Sequence, residues 1–485
     1  MAIDYVSADS TTLRAEAASS GKMLRHLLWG DRVKVLSSSG AWCKVQARGA
    51  DGFVRRDDLG GSSLLEVYFI DVGQGDGILV RTPDHRHVMI DGGHTRSRQR
   101  TRRNAADFVD WKFVHDYRES AIALDAVIAS HNDADHFGGL WDLLSDDPRA
   151  RQELEADGVS VESFYHAGVS WWTEPGGKRS LGRIETMGGE RFLVDLLGDR
   201  ADALDALSRA SWSLNGEWAK FITAATQAKT KAGQPTPIRR LSHLDEYLPG
   251  FAPGAADAVA IRVLAPVEFE VGARRGVRRY PQSDSKSTNG NSVLLRLDYR
   301  GARILLTGDL NTDSQRALLK DYAGSRQEFA CDVAKACHHG SDDVSFEFLQ
   351  TLQPSVTVIS SGDDESHDHP RPSIVGASAV TGFLKVDRDR LVSPLIYSTE
   401  IARSLKLTQL SKGRIVDGAD VLTGAALKRA KVEFGRSSRV ADDTFVVTGI
   451  VYGLINVRTD GRRILCAALN EANHTWSIKE VQSRF

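Results

Sequence analysis

Cysteine is scarce in this chain. Its four residues, Cys43, Cys331, Cys337 and Cys466, are scattered over 485 positions and form no CxxC pair. That gives no basis for a disulfide framework and fits a reducing compartment. Long apolar runs are also missing, and none approaches the ~20 residues that a membrane helix needs. The opening MAIDYVSADS has no basic segment followed by an apolar one, so no secretory signal is expected. Together these absences predict a soluble, cytoplasmic protein with no membrane partner. Charge of one sign is lacking too: 62 Lys and Arg face 64 Asp and Glu, for a net charge of −2. No global field attracts a polyanion, and any nucleic-acid affinity must come from local patches.

What is present is ordinary globular composition, 41% hydrophobic and 26% charged, long enough for about two to four domains. Residues 1–60 contain short alternating runs (RVKVL, WCKVQ, GFVRR) broken by Gly/Ser turns, the pattern of a small β unit. From Leu64 the text changes. LLEVYFIDVGQGDGILVRTPDHRHVMIDGG reads as a meander of buried strands, LDAVIAS as a further strand, and FGGLWDLLSDD as the helix after it. Strands recur at VESFYHAG, SVLLRLDY, RILLTGDL, VAKACHHG and SVTVISSG. Strands interspersed with helices indicate a layered α/β protein. Residues 174–280 read by period as a helical insertion. Residues 402–445 read as a second insertion, after which YGLINVRTDGRRILCAAL resumes strand patterning. The expected domains are therefore 1–60, 62–400 and 401–485, the last completing the middle one.

The densest chemistry is SHNDADHFGG, with two histidines and two aspartates between His131 and His136. Other strand ends carry His166 (FYHAG), Asp309 (LTGDL), His338 and His339 (KACHHG), and Asp91 (MIDGG). Strand ends suit metal ligands because the sheet fixes them while loops leave one side open. Taken singly, each has a plainer reading. A lone His166 is more often a hydrogen-bonded core residue, and Asp309 in TGD can cap a turn. Their order and spacing together are harder to dismiss.

The ordered set FIDVGQGDGILV, VMIDGG, SHNDADHFGG, NGNSVLLRLDYRGARILLTGDL, CHHGS and HP resembles the metallo-β-lactamase fold. Within that fold it is most similar to the soluble hydrolase domain of ComEC-type competence (DNA-uptake) proteins, over about residues 64–372. The first segment resembles a bacterial SH3-like domain, in its TLR opening, GDRVKVL, GAWCKV and DGFVRRDDL, which implies a docking or spacer role and a protein partner. The implied architecture is α/β: an αββα four-layer metallo-β-lactamase fold with a helical insertion, preceded by a small SH3-like β-barrel. Where the general motif reads H-x-H-x-D-H, this chain reads H-N-D-A-D-H, with Asp133 in place of a histidine.

The resemblance implies two divalent metal ions. His131, Asp133 and His166 would hold one, Asp135, His136 and His339 the other, and Asp309 would bridge. Asp135, His338 and Asp309 are the implied catalytic groups, with His338 contacting phosphate or leaving group. Two cations ~3.5–4 Å apart can share a hydroxide and clamp both oxygens of a displacement. Imidazole with carboxylate suits Zn2+, and Asp133 makes Mn2+ the alternative. Asp76 and Asp91 are expected behind the ligands, accepting histidine N–H groups; capping of glycine turns is the equal alternative. Asn289, Asn291, Ser292 and His369 occupy positions that would shape the substrate loop or bind phosphate, whereas His367 reads as a solvent-exposed loop histidine.

Two arginine runs, RSRQRTRR with Arg100, Arg102 and Arg103, and RRGVRR at 274–279, flank these motifs and suit a polyanion; solvated loops are the plainer reading. Trp171 and Trp172 could stack a base or fill core. The expected function is a phosphodiester hydrolase, foremost a nuclease acting on DNA or RNA. The alternatives are a small-molecule phosphodiesterase, for example on cyclic nucleotides, and an interaction protein with a regulatory metal site.

Overall fold

A computed structural model describes residues 2–99, 101–255, 258–362, 369–400, 453–470 and 473–485, with the backbone of short strands between Thr408 and Val446. Two sheets dominate. The first has nine strands, in the spatial order 238–240, 164–166, 126–129, 87–92, 77–81, 65–69, 455–459, 463–470 and 475–482. The second has six, in the order 260–265, 294–299, 302–306, 333–335, 356–359 and 395–398. Their facing side chains, among them Val67, Val80, Ile128, Leu295, Ile304 and Val356, form one continuous core. The outer face of the first sheet is covered by helices including Ala134–Leu144 and Gly216–Gln227. Thr312–Asp321 and Phe346–Leu352 cover the second. This is the four-layer αββα arrangement, in which alternation along each strand feeds one core inward and another outward.

The C-terminal strands belong to the first sheet: Ile455–Thr459 pairs antiparallel with Leu65–Phe69, the first strand after the N-terminal unit. Residues 402–445 lie outside the described side chains. The region 174–280, read from its period as helical, is different in the structure. It holds two longer helices, Arg200–Ser208 and Gly216–Gln227, but most of its elements are strands. Ile184–Met187 and Glu190–Leu193 form a hairpin around Gly188 and Gly189, both at positive φ. Ile238–Arg240 and Ala260–Ala265 are edge strands of the two main sheets. Short runs such as FLV were absorbed into a helical window, although a Gly-Gly pair between two apolar runs is a hairpin signal. Among the described residues no helix is long and apolar enough to cross a membrane.

The N-terminal six-stranded sheet encloses its own core, with Leu13, Val33, Val45 and Val54. It is seated on the nine-stranded sheet. Leu28 and Trp29 pack on Leu465 and Trp476, and a buried ionic network crosses the seam. Arg458, fully buried, donates to Asp31 at 2.6 Å and to the Trp29 carbonyl at 2.7 Å. It also lies 3.3 Å from Glu66, which pairs with Arg81 at 2.7 Å. Burial alone would raise the Glu66 carboxyl, but Arg458 and Arg81 outweigh it and hold the group down at about 2.

One close approach positions the site. A Cβ on Gly139 would stand 2.0 Å from the Gly92 carbonyl oxygen, so only glycine lets the Ala134–Leu144 helix lie on the IDGG turn. We expect Gly139→Ala to cost about 1–3 kcal/mol of stability and to loosen the His136–Asp91 contact. Urea unfolding with a parallel metal titration checks both; unchanged values in each would contradict this packing.

Candidate metal centre

Asp76, His136, Asp309 and His339, all buried, place one ligand atom each within 4.8 Å of one another. Each arrives on its own element. Asp309 follows the strand Ala302–Leu306, His339 follows Val333–Lys335, and His136 sits in the first turns of the Ala134–Leu144 helix. Asp76 immediately precedes Gly77–Arg81. At the centre, His136 Nε2 and His339 Nε2 are 3.2 Å apart, and Asp309 Oδ2 is 3.2 and 3.0 Å from them.

The partners of His136 and His339 fix their tautomers. His136 Nδ1 donates to Asp91 Oδ2 at 2.8 Å. His339 Nδ1 faces the Ser360 carbonyl at 3.1 Å and Asp76 Oδ1 at 3.3 Å. His131 Nδ1 lies 3.1 Å from Ser130 Oγ and 3.3 Å from Ser292 Oγ. His136 and His339 thus direct an Nε2 lone pair away from their supports, and His131 Nε2 has no hydrogen-bond partner. Two such lone pairs and a carboxylate oxygen within 3.2 Å repel one another unless a cation lies among them. Nitrogen and oxygen donors so arranged fit a divalent metal, with carboxylates orienting the rings from behind.

Electrostatics leads to the same cation. Burial opposes charge on His339, yet Asp309 and Asp76 outweigh it and push the ring up to about 9. His136 is raised well above its usual value by Asp309 and Asp91, again against burial. His131, by contrast, is lowered by burial to about 3 and stays neutral. Asp133 is pushed up to about 7 by burial and by Asp135. A raised folded-state value stabilises the metal-free chain below pH ~6.5, and that contribution fades as pH rises through about 9. The melting temperature of chelated protein should then fall between pH 6.5 and 9 relative to metal-loaded protein, in which the cation replaces the proton. A pH-independent gap would refute this.

The other expected residues divide. Asp135 Oδ2 is 3.7 Å from His339 Nε2 and accepts from Gln74 at 3.3 Å. Asp133 Oδ2 is 3.8 Å from His131 Nε2. His338 is half-buried, its Nε2 4.0 Å from Asp309 Oδ2 and 3.4 Å from the Asn289 amide. His338 and His339 both adopt left-handed backbone, φ 46° and 53°, a strained turn that aims adjacent rings at one carboxylate. The His369 ring centroid lies 5.8 Å from that of His338.

His166 lies outside the four-residue cluster; its Nδ1 accepts the Gly168 N–H at 3.1 Å, and its buried Nε2 has no hydrogen-bond partner. Asn291 donates to the carbonyls of Arg278 and Ser287 at 2.9 and 2.7 Å, which shapes the loop. Ser292 supports His131 and accepts the Asp309 N–H at 3.1 Å. The arginine runs are largely spent inside the fold: Arg96 pairs with Asp107, Arg98 with Glu217, Arg278 with Asp321 and Arg279 with Asp284. Arg102 and Arg103 are exposed, while Arg100 and His367 lie outside the described residues. Trp172 is core, and Trp171 carries Arg179 on its face at 3.7 Å.

Sequence reading missed Lys335. This fully buried ammonium lies 2.5 Å from Asp76 Oδ2 and 3.5 Å from Asp309 Oδ1, and donates to the Gly308 carbonyl at 2.8 Å. A lysine inside the apolar run VAKAC was the available signal, since buried lysine is rare without a paired acid.

Comparison with known proteins now has a site to refer to. Residues 9–60 match the bacterial SH3 domain family, and residues 70–148 the metallo-β-lactamase superfamily. The chain joins a bacterial SH3 domain to a metallo-β-lactamase-superfamily domain. ComE operon protein 3 of Bacillus subtilis (strain 168) is 31% identical over 93 residues, 19% of this chain and 12% of that protein. Competence protein ComA of Neisseria gonorrhoeae is 36% identical over 87 residues, 18% of this chain and 12% of that protein. The matched segment thus spans about an eighth of these relatives. Among solved structures, Tm1679, a metal-dependent hydrolase of the β-lactamase superfamily, aligns over 69% of this chain and 95% of its own, at 12% identity and a TM-score of 0.31. The buried Asp/His cluster of the superfamily domain could hold a metal ion.

Proposed function

We propose that the chain hydrolyses phosphodiester bonds in nucleic acid, using two divalent cations, zinc ahead of manganese. The observation that carries the metal requirement is the charge around the cluster. Asp76, Asp91, Asp133, Asp135 and Asp309 face a single ammonium, Lys335, beside neutral-capable imidazoles. With Lys335 set against these carboxylates the site is net negative; without metal, protons on His136 and His339 offset that charge, and divalent ions would take their place. Bound there, such a pair supplies Lewis acidity and an acidified water.

The chain's own residues do the rest. His131, His136, His339 and Asp309 present their donors, while Asp91, Ser292 and the Ser360 carbonyl hold the rings in register. His338, half-buried beside Asp309 and Asn289, is placed to hydrogen-bond a phosphate or leaving oxygen. Polynucleotide as substrate is supported by the match to two competence proteins and by exposed Arg102 and Arg103 on the loop that leaves the Asp91 turn. The internal pairing of most neighbouring arginines favours a second reading, a small-molecule phosphodiesterase. Burial of all four cysteines as free thiols agrees with a cytoplasmic setting, and the seated SH3 domain leaves its outer surface for a protein partner.

Elemental analysis followed by digestion of plasmid, single-stranded DNA, RNA and dinucleotides tests the reading. Metal-dependent cleavage of polymers supports it. Cleavage of dinucleotides alone transfers the case to the second reading, and metal without any phosphodiester cleavage ends both.

A further inference from the structure

The strand Val333–Lys335 sends alternate side chains to opposite sides of its sheet. Val333 joins the core between the two sheets and Ala334 the core under the outer helices. Lys335 therefore returns to the inner side, where apolar neighbours give way to the metal cluster. Its side chain is fully buried. The ammonium has three N–H groups, and three acceptors surround it: Asp76 Oδ2 at 2.5 Å, the Gly308 carbonyl at 2.8 Å and Asp309 Oδ1 at 3.5 Å. Asp76 comes from the turn before Gly77–Arg81 of the nine-stranded sheet, and the other two from the turn after Ala302–Leu306 of the six-stranded one.

Both carboxylates are divided by this contact. Asp76 gives Oδ2 to Lys335, and its Oδ1 lies 3.3 Å from His339 Nδ1, on the side of the ring away from Nε2. Asp309 turns Oδ1 to Lys335 and Oδ2 to His136 Nε2 and His339 Nε2, at 3.2 and 3.0 Å. Of these four oxygens, Asp309 Oδ2 is the one that faces the imidazole lone pairs. A buried ammonium needs acid partners whatever else it does, and a tie between the two sheets is the plainer role for Lys335. That role implies lost stability on its removal and nothing more. The division of the oxygens adds a consequence for the metal.

We propose that Lys335 is a positioning residue of the metal centre, which withholds Asp76 and one oxygen of Asp309 from the cations and so favours zinc over manganese. It rests on the metal centre proposed above, and not on what that centre cleaves. Zinc is satisfied by about four nitrogen and oxygen donors, whereas manganese goes with octahedral, oxygen-rich sets. A carboxylate pinned by one oxygen adds a single donor to a site of imidazoles. Released from Lys335, Asp309 can close on a cation with both oxygens, and the set gains oxygen donors and coordination number. The ammonium also repels every divalent ion alike, which lowers affinity but leaves the ratio between metals to the donor set.

Chelator-competition titration of the full chain with Zn2+ and with Mn2+, on wild type and Lys335→Met, tests the proposal, alongside the visible spectrum of Co2+-loaded protein. The ratio of the Mn2+ to the Zn2+ dissociation constant should fall by about tenfold or more in the variant, the scale on which groups behind metal ligands act. The Co2+ bands should weaken, because four-coordinate Co2+ absorbs more strongly than five- or six-coordinate Co2+. Lys335→Met/Asp76→Asn, which removes both charges of the pair, should give the same changes if the single variant does not fold. An unchanged ratio and unchanged bands, with only the melting temperature lowered, overturn the proposal and leave the metal centre standing. Wild type that takes up neither metal overturns both.

Discussion

Asp309→Asn protein should fold, yet lose about a thousandfold or more in turnover on any phosphodiester the wild type cleaves. One carboxylate oxygen of Asp309 lies within 3.2 Å of two histidine Nε2 atoms. An amide of the same shape keeps the volume but removes the charge that binds a shared cation. Metal-centred charge stabilisation is worth several kcal/mol, and each 1.36 kcal/mol is tenfold in rate. His136→Ala should do the same by removing an Nε2 donor. Steady-state kinetics, metal content and a melting curve on the same sample check it. Wild-type rates with normal metal content in either variant would remove the cluster from the reaction.

Arg458→Met should destabilise the chain by about 1.5–3 kcal/mol, because it removes one of two cations from each of two buried carboxylates, leaving Asp31 with Arg48 and Glu66 with Arg81. Arg458 is fully buried between Asp31 of the SH3 domain and Glu66 of the hydrolase sheet. In the wild type, Glu66 is held at about 2 against a free value of 4.5. Its contribution is therefore present above pH 4.5 and lost as pH falls through about 2. In the variant Arg48 and Arg81 remain, but burial is offset less, so the carboxyls rise relative to wild type and acid removes less stability. The stability gap should accordingly narrow on going from pH 7 to pH 4. A gap below ~1 kcal/mol at pH 7, or one that widens in acid, would mean that the seam is solvated and the SH3 domain swings free.

Much of the site was legible in one dimension because strand ends advertise themselves. An apolar run followed by Asp-Gly-Gly, His-Asn-Asp or Thr-Gly-Asp has to place those polar side chains where the sheet stops. Lys335 and the seam escaped notice for the opposite reason. Their charges lie inside strand runs, VAKAC and INVRT, where apolar neighbours mask them and the partners lie more than 25 residues away. Region 174–280 was misread because helical and extended windows compete in short runs, and only pairing across Gly188–Gly189 and with distant strands decides between them.

Alternation and turn chemistry, being local properties, indicated a layered α/β protein with polar residues at its strand ends, and the resemblance those motifs carry implied the αββα layering and the candidate ligand set. Which nitrogen of each imidazole faces inward was decided only in three dimensions. The acceptor or donor behind a ring, Asp91 for His136 and the Gly168 N–H for His166, comes from a separate turn. That contact orients each ring, and no spacing along the chain encodes it.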